Sequence, residues 1–190
     1  MTTNKQHTAT QPGPITFNLR LDAGDIRIIA EDRRHAEILI SGDGPSVNAA
    51  TISEQVRRVT VDIPSASTGA VGSPIRVEVR LPVGSSIEVD SSSAGIDVTG
   101  PVEHARIRAG TGDVRLDRVS SLDVASMSGD ITVTGLAGSG RVETMAGDVG
   151  VVAVKESSLE ARSMSGDIQV TGPVRLDAST MAGRVHHRSC

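Results

Sequence analysis

Two residue types recur along this 190-residue chain at spacings that could carry chemistry. Aspartate follows glycine at Gly112-Asp113, Gly129-Asp130, Gly147-Asp148 and Gly166-Asp167, and Gly183-Arg184 closes the series. The intervals are 17, 18, 19 and 17 residues. If each interval is one layer of a stack, the carboxylates form a column, and each close pair repels by roughly 2–3 kcal/mol at an effective dielectric near 20. Two arrangements offset this. A hard cation such as Ca²⁺ could be held by the oxygens between layers. Alternatively, each carboxylate accepts backbone N–H bonds in its own turn and splays toward solvent. The glycine-rich calcium-binding nonapeptide is absent and Arg184 stands in the last aspartate position, which favours the turn.

Methionine forms the second series. Met127, Met145, Met164 and Met181 each stand two residues before a turn glycine. On a strand they should point outward as a soft apolar stripe, suited to partner contact, to packing beneath the N-terminal strands or to buttressing the turn. Other chemistry has little support. His186, His187 and Cys190 could ligate a metal, but adjacent side chains on a strand face opposite ways, and the segment reads as a frayed polar end. The only lysines are Lys5 and Lys155, and neither a phosphate-binding loop nor a GxSxG elbow is present. Carboxylates clustered on one face, as a polysaccharide-cleaving β-helix needs, are not visible: one outward column reads Arg115, Thr132, Gly150, Gln169, another Arg108, Ala125, Glu143, Arg162. No catalytic residue and no cofactor are expected.

The elements that position these residues follow from the period. A longer repeat of roughly 36 residues overlies the short one, because Ser126-Met-Ser-Gly-Asp-Ile returns at Ser163 and Thr144-Met-Ala-Gly returns at Thr180. Within each short unit the apolar period is two, which is that of a strand. One inward set is Leu122, Val124, Ser126, Ser128, Ile131 and Val133; the next rungs give Val142, Thr144, Ala146, Val149, Val151 and Leu159, Ala161, Ser163, Ser165, Ile168, Val170. A unit of two short strands cannot bury its apolar face alone, whereas stacked units can. The reading is all-β: a single-stranded β-solenoid of about 17–19 residues per rung with irregular N-terminal strands. Regular rungs span 82–190, about six of them, on the order of 30 Å of stack. Irregular strands span 14–81, with Gly24-Asp25 as an early corner, strands at 36–40, 51–63 (turning near 54–58) and 75–81, and a flexible loop over 65–73. Residues 14–190 then make a single domain, and 1–13 a disordered tail. Gly24, Gly112, Gly129, Gly147, Gly166 and Gly183 are expected to supply positive φ at the corners.

Composition narrows the function classes. The formal charge is −4, and Phe17 is the single aromatic carbocycle among Phe, Trp and Tyr. Nucleic acid has neither a basic surface nor stacking platforms to bind. No window approaches 18 apolar residues, so no membrane span is expected. The N-terminus lacks a signal-like apolar core and Cys190 has no internal partner, which suits a cytoplasmic location.

The segments GPITFNLRLDAGDIRIIAEDR and RVEVRLPVGSSIEVDSSSAGIDVTG, with the SGDI-x-VTG turns, resemble the bacterial adhesin-like β-strand-repeat proteins of unknown function, of the type common in actinobacteria and similar to toastrack domains. The resemblance covers about residues 14–190. It implies the solenoid fold and no catalytic residues, and its members are often secreted or anchored. The expected function is a non-enzymatic interaction or scaffold module binding a protein or envelope component through strand faces or an open end; homodimerisation through residues 174–190 is one form of this. The alternative is a carbohydrate-active β-helix, either a lectin-like binder or an enzyme. The absence of Trp and Tyr weighs against both sugar-binding forms.

Overall fold

A computed structural model describes residues 2–64 and 75–189. The loop expected over 65–73 and Cys190 therefore lie outside the described residues. The elements are β1 (Thr2–Thr8), β2 (Thr16–Glu31), β3 (Glu37–Asp43), α1 (Gly44–Ala49), β4 (Thr51–Gln55), β5 (Arg58–Ile63), β6 (Arg76–Pro82), β7 (Ser86–Thr111), β8 (Val114–Ser128), β9 (Ile131–Ala146), β10 (Val149–Ala153), β11 (Ser157–Ser165), β12 (Ile168–Thr171), β13 (Val174–Ala182) and β14 (Val185–Arg188). Among the described residues all fourteen strands join one sheet.

The chain coils as its period requires. Ile96, Val114, Ile131, Val149, Ile168 and Val185 stack in one column through parallel pairing, each 17–19 residues after the last. Inward side chains form two opposed columns. One runs Leu19, Val89, Ile107, Val124, Val142, Ala161, and the other Ile28, Val98, Leu116, Val133, Val151, Val170; all are at most 2% exposed. Burying each of the larger aliphatic groups contributes about 1.5–3 kcal/mol. Ser126, Thr144 and Ser163 are buried as the alternation requires, but Ser128, Ala146 and Ser165 are exposed. The chain is already bending into the corner there, so the two-residue period lapses one residue before the glycine.

The corner is a backbone ladder. Gly112, Gly129, Gly147 and Gly166 have φ of 120°, 124°, 133° and 138°. A Cβ on Gly147 would run into the carbonyl oxygen of Gly129, and the same holds up and down the column. Glycine is thus required twice over, by its positive φ and by close approach. At the Gly129, Gly147 and Gly166 corners each N–H finds an acceptor on a neighbouring rung. Gly147 N–H donates to Ser165 O (3.1 Å), Asp148 N–H to Asp130 Oδ1 (2.9 Å) and Val149 N–H to Asp167 O (2.9 Å). The aspartates repeat this from rung to rung: Asp130 N–H donates to Asp113 Oδ1, Asp167 N–H to Asp148 Oδ1 and Arg184 N–H to Asp167 Oδ1. The carboxylates therefore accept N–H groups from the following rung, not from their own turns. A hydrogen bond to a charged group contributes about 1.5–3 kcal/mol, the same size as the repulsion that it offsets. At the opposite corner the register slips, between Val98 and Pro101, Val119 and Ser121, and Val151 and Ala153.

Toward the N-terminus the pairing changes sense. β5 and β6 lie parallel to β2 and complete a rung, while β4 on β5, β3 on β6 and β1 on β3 are antiparallel. The tail expected over 1–13 is thus partly a strand, because β3 offers an open edge to Thr2–Thr8. Its anchors are polar, so no apolar alternation announced it. Gln6 Nε2 donates to Glu37 Oε1 (2.6 Å), Lys5 Nζ to Ala50 O (2.6 Å), and Thr10 N and Oγ1 to Glu54 Oε1 (2.8 and 2.6 Å). His7 Nε2 lies 3.1 Å from Glu54 Oε2. The Thr10 hydroxyl, then its N–H and His7, hold the Glu54 carboxyl below the ordinary 4.5 against burial. The Arg33 guanidinium and the Gln6 amide do the same for Glu37.

Two outcomes follow. Gly147→Ala lowers stability by about 2 kcal/mol or more through backbone strain alone, whereas Gly150→Ala, which meets no close atom, stays within about 0.5 kcal/mol. Asp148→Ala lowers the melting temperature by a few degrees and Asp148→Asn, which keeps an acceptor, by less; thermal unfolding checks all four. Because Glu37 and Glu54 titrate below 4.5 in the folded chain, their contribution is complete above that pH and is lost as the pH falls through the lowered values. Amide exchange in Thr2–Thr8 should therefore accelerate below pH 4.5 before exchange in β8 and β9 does.

Candidate functional site

The repeats align the outer face as strictly as the core. The pairs Ser126↔Thr144 and Ser128↔Ala146 set Met127 beside Met145, and equivalent pairs set Met145 beside Met164 and Met164 beside Met181. The column continues toward the N-terminal rungs as Gly110, Ser92 and Asp22, with Ser92 Oγ donating to Asp22 Oδ1 at 2.7 Å. Gly110 is the break in it. It stands where the later rungs carry methionine, and a Cβ there would run into the Ser92 carbonyl oxygen. A trench of about 900 Å³ lies over Gly110, bounded by Leu21, Ile63, Met127 and Met145. A second hollow of about 550 Å³ continues it past Met145 to Met164 and Met181, sharing Arg108, Ala109, Met127 and Met145 with the first.

The methionines are 61%, 51%, 50% and 82% exposed in chain order, which removes the alternative that they pack beneath the N-terminal strands. Beside them runs a column of alternating charge. Arg20 lies 3.9 Å from Asp90, and Arg162 lies 3.8 Å from Glu143 and 2.6 Å from Glu160. Arg141 donates to Glu143 at 2.7 Å, which holds the guanidinium pKa above its ordinary value. Arg108, at the junction of the two hollows, has no carboxylate within ion-pair distance among the described residues.

The other sequence candidates do not converge on this trench. The aspartates Asp113, Asp130, Asp148 and Asp167 sit round the corner and are engaged by backbone N–H groups. His186 and His187 are exposed on β14 opposite Gln169 and Val170. Among the described residues no group of three or more His, Cys, Asp or Glu is placed to hold a metal ion. No described helix is long and apolar enough to cross a membrane. Gly110 is the residue that reading the sequence missed. Aligning Ala109-Gly110-Thr111-Gly112-Asp113 with Ser126-Met127-Ser128-Gly129-Asp130 would have shown it as a gap in the methionine series.

The comparisons with known proteins agree with this architecture. A candidate adhesin from Bacteroides fragilis superposes with a TM-score of 0.60 at 11% identity, over 100% of this chain and 97% of that one. A candidate cell adhesion protein from Clostridium sporogenes superposes with a TM-score of 0.55 at 10% identity, over 99% and 100%. At such identity the likeness is one of fold. No curated protein matches significantly. The model of one family, Toastrack DUF4097, matches residues 16–173, and with those residues the chain belongs to that family.

Proposed function

We propose that the chain is a non-enzymatic, adhesin-like interaction module that seats a protein segment along the methionine-lined trench. The observation that carries this is the trench itself: methionine side chains, half or more exposed, collected in register along one face of the stack. Exposed apolar surface of this continuity marks contact sites in folded proteins. Methionine adapts its shape to whatever covers it. The unpaired Arg108 between the two hollows calls for an acidic group on the partner, so the fitting segment is apolar with a carboxylate near its middle. Two structural neighbours described as candidate adhesion proteins support the class, and the surroundings of the trench support a surface role over a reaction. Its charged side chains are held in ion pairs with one another or stand apart, without a base and an acid directed at one point.

A photo-crosslinking residue placed at Met127 should trap a defined partner in cells that express the chain, while one placed at Gln169 on the opposite face should not. Arg108→Glu or Met145→Asp should abolish the Met127 product without lowering the melting temperature. Equal products from both positions, or a Met127 product indifferent to both substitutions, would sink the reading.

A further inference from the structure

All four internal methionines of the chain stand at one structural position. Apolarity alone does not explain this. An outward strand position that needed only a hydrophobe would favour valine, isoleucine or threonine, which suit the pleated backbone better than methionine. What distinguishes methionine is its sulfur. Parallel pairing in register sets the four side chains on neighbouring strands about 4.8 Å apart, and all four line the same 550 Å³ hollow. We propose that this column is a binding site for a soft monovalent cation of the Cu(I) class, held by thioether sulfurs of adjacent rungs.

The chemistry selects that class. Thioethers are soft, neutral donors that favour Cu(I) over hard divalent ions. Two metal–sulfur bonds of about 2.3 Å, the length of a zinc–sulfur bond, span about 4.6 Å when opposed. That matches the strand spacing, so the ion bridges two rungs with rotamer changes alone and no movement of the backbone. Exposure of 50–82% leaves the sulfurs open to an arriving ion. The charged groups facing the hollow are Arg108, Glu143 and Arg162. Glu143 is taken up by Arg141 at 2.7 Å and Arg162 at 3.8 Å, so no free carboxylate recruits Ca²⁺ or Mg²⁺ there. A thioether also does not protonate in water, so the site keeps its ligands in acid, where imidazole and thiol sites lose theirs.

The test uses the full chain carrying Cys190→Ser, with silver(I) as a redox-stable probe and Cu(I) under anaerobic conditions in competition with a colorimetric Cu(I) chelator. The ε-methyl carbon signals of Met145 and Met164 should shift with the first equivalent of silver(I), and those of Met127 and Met181 with further additions. The Met1 and histidine ring signals should stay in place. The melting temperature should rise on binding because the ion ties rungs together. The double variant M145L/M164L, which keeps the apolar stripe, should bind either ion at least tenfold more weakly, lose the thermal shift and retain its unliganded melting temperature. Binding should persist at pH 5. Undiminished affinity in M145L/M164L, primary shifts on His186 and His187, or loss of binding at pH 5 would overturn the proposal.

Discussion

Stacking one turn of chain directly on the last at a single strand spacing leaves no room at the corner for a side chain. That constraint governs the molecule. The corner glycines of successive rungs lie so close that a Cβ on one would overlap the carbonyl oxygen of the next. The backbone groups brought together there pair from rung to rung, while the carboxylates beside them face solvent. Aspartate does this because its short carboxylate reaches the N–H of the aspartate above, so the hydrogen bond that links two rungs also relieves the repulsion between their charges.

Once the corner is set, the strands beside it keep one register from rung to rung, and the residues on them fall into columns. Inside, the columns are aliphatic along the strands and turn to Ser126, Thr144 and Ser163 beside the corner. Outside, one column carries Arg20 against Asp90 and Glu143 against Arg162, and beside it run the methionines. The trench is a by-product of this regularity. The rung before the methionines carries Gly110 in their place, where a Cβ would overlap the Ser92 carbonyl oxygen, and the trench lies over it. A solenoid builds its surface features by addition and omission within a repeat, not by folding a loop into place.

What the amino-acid order revealed, it revealed through periodicity. The rung length, the corner glycines and the outward methionines were legible because each recurs four or more times. Features that occur once were not. β1 is held by Glu37 and Glu54, distant in sequence and without an apolar signature. The short helix α1, Gly44–Ala49, lies in a Gly/Pro/Ser stretch whose local propensity points to a turn; only the burial of Ser46 and Val47 against neighbouring strands explains it. The donors to the aspartates were misassigned for a related reason. Spacing shows that carboxylates stack, but whether an N–H comes from the same turn or the next depends on the rise between rungs, which a linear pattern does not contain. Ser128, Ala146 and Ser165 were misplaced because alternation was carried past the point where the chain starts to bend.

The two edges of the stack differ in tolerance. On the glycine side every rung repeats the same bonds, whereas on the other side the register slips at Val98/Pro101, Val119/Ser121 and Val151/Ala153, and the rungs absorb their unequal lengths there. The molecule is bound like a book, with a fixed spine and an uneven fore-edge. Residues can be inserted or deleted along that fore-edge while the pages stay aligned, so chains only 10–11% identical to this one share its fold.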